Sequence, residues 1–268
     1  AEAKALVVRN RTQVTGDLLD AGPGLKVVGR LGVGLDNIDL DACKARGIEV
    51  CPATGANSVS VAEYVIATAM LLLRGSTYRA SHRVAAGEWP RMDLVGRDAA
   101  GKRLGLVGLG AIAREIAPRA RALGMEVAAF DPYVPEGDAA WEGVLQRPLA
   151  ELIAASDVLS LHVPLTDETK HMIDAAAIET MMPGAIVINA ARGGVVDETA
   201  IVEALRAGRL GGAALDTFEI EPVTPDAGRL FRDVPNLILT PHVAVITDEC
   251  NLRTAEMTAA NVRRVLEA

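Results

Sequence analysis

The chain has 268 residues, of which 50% are hydrophobic and only 3% are aromatic. This length allows a large core in one or two domains, and the composition is typical of a buried parallel sheet covered by alanine-rich helices. The formal net charge is −8, without a run of lysine or arginine, so nucleic acid is not an expected partner. The longest apolar segment, residues 64–73, is too short to span a bilayer, so no membrane association is expected.

The cysteines and the amino-terminal residues bear on location. Cys43, Cys51 and Cys250 are odd in number and have neither C-x-x-C spacing nor histidine partners. They are interpreted as reduced thiols, and neither a disulfide nor a metal site is predicted. The first residues show no signal-peptide pattern and run directly into a strand-like segment. A cytoplasmic protein is therefore expected.

The first part of the chain alternates short apolar runs with a helical stretch. Strands are predicted at 5–8, 26–28 and 47–51, and a helix at 39–46, which together indicate a small α/β layer. Ser58 is predicted to cap a long apolar helix that runs from Val59 to about residue 74.

Residues 80–101 and the regular region after them differ in character. The former contain Trp89-Pro90 and several charges, and are predicted to form an extended surface arm.

From Lys102, the predicted strands are 103–107, 126–130, 158–161, 185–189, 212–215 and 237–239, and the predicted helices are 112–123, 149–155, 175–181 and 198–207. A last helix is predicted within 247–268. Strands that alternate with helices indicate an α/β fold with a doubly wound parallel sheet.

A glycine-rich turn lies between the first predicted strand and helix of this region. Gly108 and Gly110 belong to a G-x-G-x-x-A motif that ends at Ala113, and Asp131 closes the next strand. Such glycines permit a tight turn and let the backbone approach a pyrophosphate at the start of a helix. An acid at the end of the second strand would accept hydrogen bonds from ribose hydroxyls and repel a 2′-phosphate. The motif therefore predicts NAD binding and disfavours NADP.

Three polar residues follow three later strands. Arg192, Glu221 and His242 lie just past the predicted strands, where ligands bind in open α/β sheets. A guanidinium can hold a carboxylate, an imidazole can take a hydroxyl proton, and a carboxylate on the far ring nitrogen can orient that imidazole. This set suits oxidation of a 2-hydroxy acid beside a nicotinamide.

Each of the three also has a structural interpretation, namely a solvated loop arginine, a surface turn glutamate and a histidine that caps backbone carbonyls. Among the remaining histidines, His82 and His171 are expected at the surface. His162 ends a strand and is expected to line the adenine pocket.

Several segments together resemble a known family. They are residues 29–39 (GRLGVGLDNID), 57–63 (NSVSVAE), 108–113, 162–166 (HVPLT), 189–197 (NAARGGVVD), 215–222 (LDTFEIEP) and 239–242 (LTPH). In this order they resemble the D-isomer-specific 2-hydroxyacid dehydrogenases, whose members include phosphoglycerate dehydrogenases. The resemblance implies that Arg192, Glu221 and His242 are catalytic. Glu219 is not the equivalent residue, because the family's glutamate directly precedes the proline, and a glutamate at this position argues against formate as substrate.

The resemblance also implies the binding residues. For NAD it implies Gly108, Gly110, Ala111, Ile112, Asp131, His162, Val163, Pro164, Thr166, Ala190 and Asp216. For substrate it implies Arg9, Arg30, Val33, Gly34 and Asn57. The two arginines would suit a second anionic group, such as phosphate, sulfonate or carboxylate, although Arg9 would equally suit a solvated strand end.

The resemblance further implies the domain arrangement. Residues 1–56 and 245–268 would form a substrate domain that lacks the N-terminal strand and helix of the family, and residues 57–244 would form the NAD domain. Both would be Rossmann-like, with the active site in the interdomain cleft. The helix from Val59 and the arm at 80–101 resemble the family's dimerisation elements, so a homodimer is expected.

The sequence does not determine which 2-hydroxy acid is the substrate. Residues 243–246 (VAVI) are bulkier than the small residues that usually follow the family's histidine. The last helix then begins at residues 248–253, where Asn251 and Arg253 could point into the cleft, and this segment resembles the sulfolactate dehydrogenase branch. The expected substrate is thus a 2-hydroxy or 2-oxo acid similar to 3-phosphoglycerate or sulfolactate. The alternatives are a glycerate/hydroxypyruvate reductase and a non-enzymatic NAD(H)-sensing protein of the same fold.

Overall fold

A computed structural model describes residues 2–268. The chain divides into two compact units, one formed by residues up to Ser60 together with Val245–Ala268, and the other by Val61–Ala244.

The regular elements are numbered in chain order. The strands are β1 (Ala5–Val8), β2 (Val27–Arg30), β3 (Glu49–Pro52), β4 (Arg103–Val107), β5 (Glu126–Phe130), β6 (Leu145–Gln146), β7 (Val158–Leu161), β8 (Ala185–Asn189), β9 (Leu210–Leu215) and β10 (Leu237–Leu239). The helices are α1 (Gly16–Asp20), α2 (Leu40–Ala45), α3 (Ser58–Leu73), α4 (Ser81–Ala85), α5 (Ala111–Ala122), α6 (Leu149–Ala155), α7 (Ala175–Thr180), α8 (Glu198–Arg206) and α9 (Asp248–Glu267).

The first unit is built on a parallel sheet of three strands in the order β1-β2-β3. Successive side chains of a strand point to opposite faces, so Val28 and Gly29 of β2 face different layers. Val28 packs in an apolar cluster with Leu19 and Cys43 of α1 and α2. Gly29 faces α9, where a Cβ would lie 2.6 Å from a methyl of Val262. The absence of a side chain at Gly29 therefore lets α9 lie close to the sheet.

The second unit is built on a parallel sheet of seven strands in the order β10-β9-β8-β7-β4-β5-β6. The chain starts in the middle at β4, extends outwards through β5 and β6, and then returns to β7 on the other side of β4. This reversal makes the carboxyl ends of β4 and β7 the topological switch point, where open α/β sheets bind ligands.

The register of this sheet brings its strand ends to one level. Val107 pairs with Leu161, Leu161 with Asn189, Asn189 with Leu215, and Leu215 with Leu239. The loops that follow β4, β7, β8, β9 and β10 therefore leave the sheet side by side. These loops carry the residues that the sequence singles out.

The sheet is buried on both faces, which is why its strands are continuous apolar runs rather than alternating ones. All five residues of β8 are buried, as are all four of β7. A strand sequence such as Ala185-Ile186-Val187-Ile188 can only be stable between two layers of helices, so the sheet ends become the accessible edge.

The α/β class with parallel sheets is confirmed, and most predicted elements of the second unit lie within two residues of the observed ones. The prediction that Ser58 caps α3 is wrong. Ser58 is the first helical residue, and its buried Oγ has no hydrogen-bond partner among the described residues. α1 and β6 are not among the predicted elements, because elements of five and two residues are too short to show periodicity. The predicted arm at residues 80–101 contains α4 and short turns.

None of the helices between residues 2 and 268 combines the length and apolarity needed to cross a membrane.

Candidate active site

The glycine turn after β4 leaves room at the start of α5. Gly108 is buried with φ +91°, and a Cβ there would lie 2.6 Å from the carbonyl oxygen of His162. Gly110 is the N-cap of α5, has no side-chain cap, and has open space where a Cβ would stand. The first N–H groups of the helix are thus presented without a side chain above them, as an anion site requires.

Asp131 follows β5 and reaches back to the glycine turn. Its Oδ2 accepts a hydrogen bond from the N–H of Leu109 at 2.8 Å, and its Oδ1 accepts one from the N–H of Tyr133 at 2.9 Å. Each carboxylate oxygen can accept a further bond, so the group remains able to receive ribose hydroxyls. Asp131 therefore shapes the turn as well as ending the strand.

The residues present fit a dinucleotide at the switch point. The turn has room at Gly110, an uncapped helix start and an acid at the end of the neighbouring strand. Of the other predicted cofactor residues, the half-buried ones are Ile112, His162, Val163 and Ala190, and the exposed ones are Ala111, Pro164 and Thr166. The loops after β4, β5, β7 and β8 would hold the cofactor.

His162 is poorly suited to proton transfer. Its Nε2 lies 2.9 Å from the Oγ of the buried Ser160, and desolvation lowers the pKa of the imidazole to about 3. The ring is consequently neutral at neutral pH, and the backbone carbonyl of the same residue lies against Gly108 of the glycine turn.

Arg192 lies in a turn that Asn189 organises. The buried Asn189 donates from Nδ2 to the carbonyl of Arg192 at 2.9 Å and accepts from the N–H of Ala191 at 3.1 Å. The half-buried guanidinium of Arg192 donates to the carbonyl of Ala191 at 2.8 Å. At Gly193 a Cβ would stand 1.8 Å from the carbonyl oxygen of Phe218, so the loops after β8 and β9 touch there.

Glu221 and His242 form a direct pair. The Nδ1 of His242 lies 2.9 Å from Oε2 of Glu221, while Oε1 of Glu221 accepts from the N–H of Phe218 at 2.9 Å. An ionised carboxylate only accepts, so Nδ1 carries the proton and Nε2 is left as the basic atom. The side chains are 44% and 36% exposed, so the ring remains accessible to a ligand.

Asp216 is buried at the carboxyl end of β9, with 1% of its surface exposed. Its Oδ1 accepts from the Thr240 hydroxyl at 2.6 Å and from the N–H of Val243 at 2.8 Å. Its Oδ2 accepts from the N–H of Ala244 at 2.9 Å. Both oxygens of this predicted cofactor residue thus hold the segment that carries His242.

Glu219, close to Glu221 in the sequence, has a different partner. Its Oε1 lies 3.0 Å from Nε2 of His171, and its N–H donates to Oε1 of Glu198 at 2.7 Å. Burial raises the pKa of the Glu198 carboxyl, with smaller contributions from the carboxylates nearby. Glu219 is thus directed towards His171 and the start of α8, and it pairs with His171 rather than with His242.

In the first unit, the loops after β1, β2 and β3 leave the same sheet edge. Arg30 is 9% exposed, and it donates from Nε to the carbonyl of Gly34 at 2.9 Å and from a terminal nitrogen to that of Leu31 at 2.6 Å. The predicted substrate residue Arg30 therefore braces the loop that contains Val33 and Gly34. Asn57 is half-buried just before α3.

Arg9 is exposed after β1, and its carbonyl accepts from Nδ2 of Asn37 at 2.9 Å. The same Nδ2 donates to the carbonyl of Thr12 at 2.6 Å, so Asn37 ties the loops after β1 and β2 together. At the third loop, Nε of Arg253 donates to the carbonyl of Ala56 at 3.0 Å.

The polar side chains that organise these loops were not predicted from the sequence. Asn37, Asn189 and Thr240 act through bonds to backbone or to another buried group, and the only sequence signal was a polar residue placed among apolar ones at a strand end.

Comparison with known proteins shows the family to which the chain belongs. Residues 66–244 match the family model for the NAD binding domain of D-isomer specific 2-hydroxyacid dehydrogenases. The chain belongs to the D-isomer specific 2-hydroxyacid dehydrogenase family. It is an enzyme of the NAD-dependent 2-hydroxyacid dehydrogenase class, and the predictions of family, enzyme class and cofactor are confirmed.

Curated relatives of several names are similar over almost the whole chain. An (S)-sulfolactate dehydrogenase from Chromohalobacter salexigens is 54% identical over 99% of this chain and 85% of its own length. A hydroxypyruvate reductase from Thermotoga maritima is 42% identical over 94% of this chain and 81% of its own. A D-3-phosphoglycerate dehydrogenase from Archaeoglobus fulgidus is 42% identical over 97% of this chain, which spans only 49% of that longer relative.

Solved structures have the same fold. The D-lactate dehydrogenase from Aquifex aeolicus, crystallised with NAD and lactic acid, is 32% identical with a TM-score of 0.86, covering 99% of this chain and 84% of that one.

Proposed function

We propose that this enzyme transfers a hydride between NAD and a 2-hydroxy acid that carries a second anionic group, with sulfolactate as the leading candidate. The proposal rests on the Glu221–His242 pair at 2.9 Å, which leaves Nε2 of the ring as an accessible base at the sheet edge from which the loop of Arg192 also leaves. The 54% identity to an (S)-sulfolactate dehydrogenase supports the choice of substrate over the other relatives at 42%.

In the proposed reaction, Arg192 holds the substrate carboxylate and polarises the oxygen on C2. Nε2 of His242 takes the hydroxyl proton, and Glu221 stabilises the resulting imidazolium. NAD supplies the hydride acceptor for the hydrogen on C2. The C2–O bond thereby becomes a carbonyl, and in the opposite direction the imidazolium returns the proton.

The second anionic group is assigned to the strand ends of the first unit. Arg9 is exposed there, Arg30 at the end of β2 donates to the loop that contains Val33 and Gly34, and Asn57 follows the third strand. A sulfonate is a full anion at any physiological pH, so it suits a fixed guanidinium.

The experiment is an NADH absorbance assay over sulfopyruvate, phosphohydroxypyruvate, hydroxypyruvate and pyruvate, with both enantiomers of sulfolactate in the oxidative direction. We expect the highest kcat/KM with sulfopyruvate. Preference for phosphohydroxypyruvate or hydroxypyruvate would overturn the substrate assignment. A protein that binds NADH and reduces none of the four would instead indicate an NAD(H) sensor.

Arg192→Ala serves as the matched variant in this assay. It should remove turnover while leaving NADH affinity close to that of the wild type, because the proposed partner of the guanidinium is the substrate. Loss of NADH binding would show that Arg192 has another role.

We further propose a cytoplasmic homodimer. The apolar side chains of Trp89, Met92 and Val95 are 77%, 83% and 74% exposed, more than an isolated surface favours. All three cysteines are free and buried, which suits a reducing compartment.

A further inference from the structure

The segment from Thr240 to Ala244 is folded around a single carboxylate. Asp216 accepts from the Thr240 hydroxyl and from the N–H groups of Val243 and Ala244, at 2.6, 2.8 and 2.9 Å. In addition, the backbone carbonyl of Asp216 accepts from the N–H of His242 at 2.8 Å. The residues on both sides of the histidine are therefore anchored to Asp216.

This anchoring matters because the backbone of His242 is unusual. Its φ is +54°, in the left-handed region that side chains with a Cβ rarely occupy. Such a conformation persists only where surrounding contacts hold it. The direction of the imidazole, and hence the place of Nε2, depends on these hydrogen bonds.

The hydrogen-bond chain extends one residue further, to α3. The hydroxyl of Tyr64 lies 2.7 Å from Oγ1 of Thr240. Thr240 has one hydroxyl proton, and the carboxylate of Asp216, whose two oxygens both accept backbone N–H groups, requires it. Thr240 must then accept from Tyr64, so the direction of the chain is Tyr64 to Thr240 to Asp216.

Tyr64 is suited to be a constant donor. The residue is half-buried, and burial raises the pKa of its phenol above the usual value, so the hydroxyl stays protonated over the working pH range. Because Tyr64 lies on the 16-residue helix α3, the first donor of the hydrogen-bond chain is attached to a rigid element.

We propose that Tyr64 is a positioning residue for the acid–base group His242, acting through Thr240 and Asp216. The proposal rests on the proposed function, since it takes His242 as the group that exchanges the proton. Tyr64, which lies on a helix and outside the strand-end loops, would then contribute measurably to kcat.

The central variant is Tyr64→Phe, which keeps the ring and removes only the hydroxyl. We expect kcat to fall about 3- to 10-fold, the usual effect of one network hydrogen bond, with the dissociation constant of NADH unchanged. Thr240→Val should lower kcat by about 10- to 100-fold, because the buried carboxylate loses a donor. Thr240→Ser keeps the hydroxyl, so its kcat should be close to that of the wild type and well above that of Thr240→Val.

The double variant Tyr64→Phe/Thr240→Val tests whether the effect passes through Thr240. If it does, the double variant has a kcat within about twofold of Thr240→Val alone, because the tyrosine has lost its only route to the histidine. If the two losses of kcat multiply, Tyr64 does not act through Thr240, and the proposal is overturned. Thr68→Val is the control, since its hydroxyl on the same helix donates only to the carbonyls of Tyr64 and Val65 among the described residues.

A second readout does not depend on turnover. In ¹⁵N-labelled protein, the imidazole resonances of His242 should shift in Tyr64→Phe and stay unchanged in Thr68→Val, with similar thermal unfolding midpoints. Equal resonances and equal kcat in Tyr64→Phe and Thr68→Val would overturn the proposal. A wild type without activity on any 2-oxo acid would instead contradict the proposed function, and the resonance shift would still report on the chain.

Discussion

The Nδ1 atom of His242 lies 2.9 Å from Oε2 of Glu221, and Oε1 of the same carboxylate accepts from the backbone N–H of Phe218. The glutamate is therefore held by its own loop before it orients the ring. This arrangement combines a fixed direction with a stabilising charge, which a mobile surface carboxylate could not do.

Replacement of Glu221 tests this pair. Glu221→Gln keeps the shape but removes the charge that stabilises the imidazolium, so kcat should fall by about 10²-fold or more. Glu219→Gln is the matched control, because Glu219 contacts His171 rather than His242. Steady-state rates with saturating NADH are the measurement. Equal losses in the two variants would contradict the assignment of the catalytic glutamate.

Asp131 should influence both cofactor choice and the shape of the glycine turn. In Asp131→Asn the negative charge is lost, so NADH affinity should fall about 10- to 100-fold and the preference for NADH over NADPH should narrow. Because Oδ2 also accepts from Leu109, an amide placed there with its NH₂ inward would disturb the turn. Fluorescence titration with each cofactor measures the change. An unaltered NADH affinity would argue against ribose contact by this carboxylate.

Replacement of two glycines by alanine should affect different properties, NADH binding at Gly110 and folding stability at Gly193. At Gly110 a Cβ meets open space, so Gly110→Ala should fold with nearly wild-type stability but bind NADH weakly, since the methyl would stand where the cofactor approaches. At Gly193 a Cβ would stand 1.8 Å from the carbonyl of Phe218, so Gly193→Ala should lower the free energy of unfolding by about 1–3 kcal/mol. Thermal unfolding and NADH titration of both variants separate these effects. Normal NADH binding by Gly110→Ala would exclude the proposed approach.

His162 should make stability depend on pH in a defined direction. Its pKa is about 3 in the folded chain, against 6.5 for an unperturbed imidazole. Above pH 6.5 the imidazole is unprotonated in both the folded and the unfolded chain, so stability does not depend on pH through this site. Below it only the unfolded chain is protonated, so the free energy of unfolding falls by about 1.4 kcal/mol per pH unit until the pH nears the folded pKa.

This contribution should be absent in His162→Asn. Urea unfolding of both proteins, in steps between about pH 7 and pH 4, should give a smaller loss of stability for the variant over the acidic part of the range. His82→Asn, at an exposed position, is the control and should follow the wild type. Parallel curves for all three proteins would refute the low pKa of His162.

The proposed dimer should depend on the arm at residues 80–101. Trp89→Glu places a charge at a side chain that is 77% exposed, and it should shift the mass in light scattering towards the monomer. Tyr133→Glu, at a position 83% exposed outside the arm, should leave the mass unaltered. A dimer mass that persists in Trp89→Glu would place the interface elsewhere.

Most of the second unit could be predicted because its strands are long apolar runs and its helices are amphipathic. The strand at 185–189 is buried along its full length, and α5 and α8 bury one face each. Prediction failed where elements are short or where a buried contact overrides a local preference. Ser58 would suit a helix cap by its residue type, yet it lies inside α3 with a buried hydroxyl.

The sequence by itself determined the alternation of strands and helices, the glycine turn with Asp131, and the polar residues that follow the strands, because these depend on local periodicity and on residue type. Only the tertiary structure decided which of those polar groups meet. The common register of β8, β9 and β10 brings the loops that carry Arg192, Glu221 and His242 to one edge, and hydrogen bonds link Tyr64 to Thr240 and Thr240 to Asp216 beside His242. Hydrogen bonds between residues far apart in the chain leave no periodic trace in the sequence, so their geometry becomes visible only when the sheet has formed.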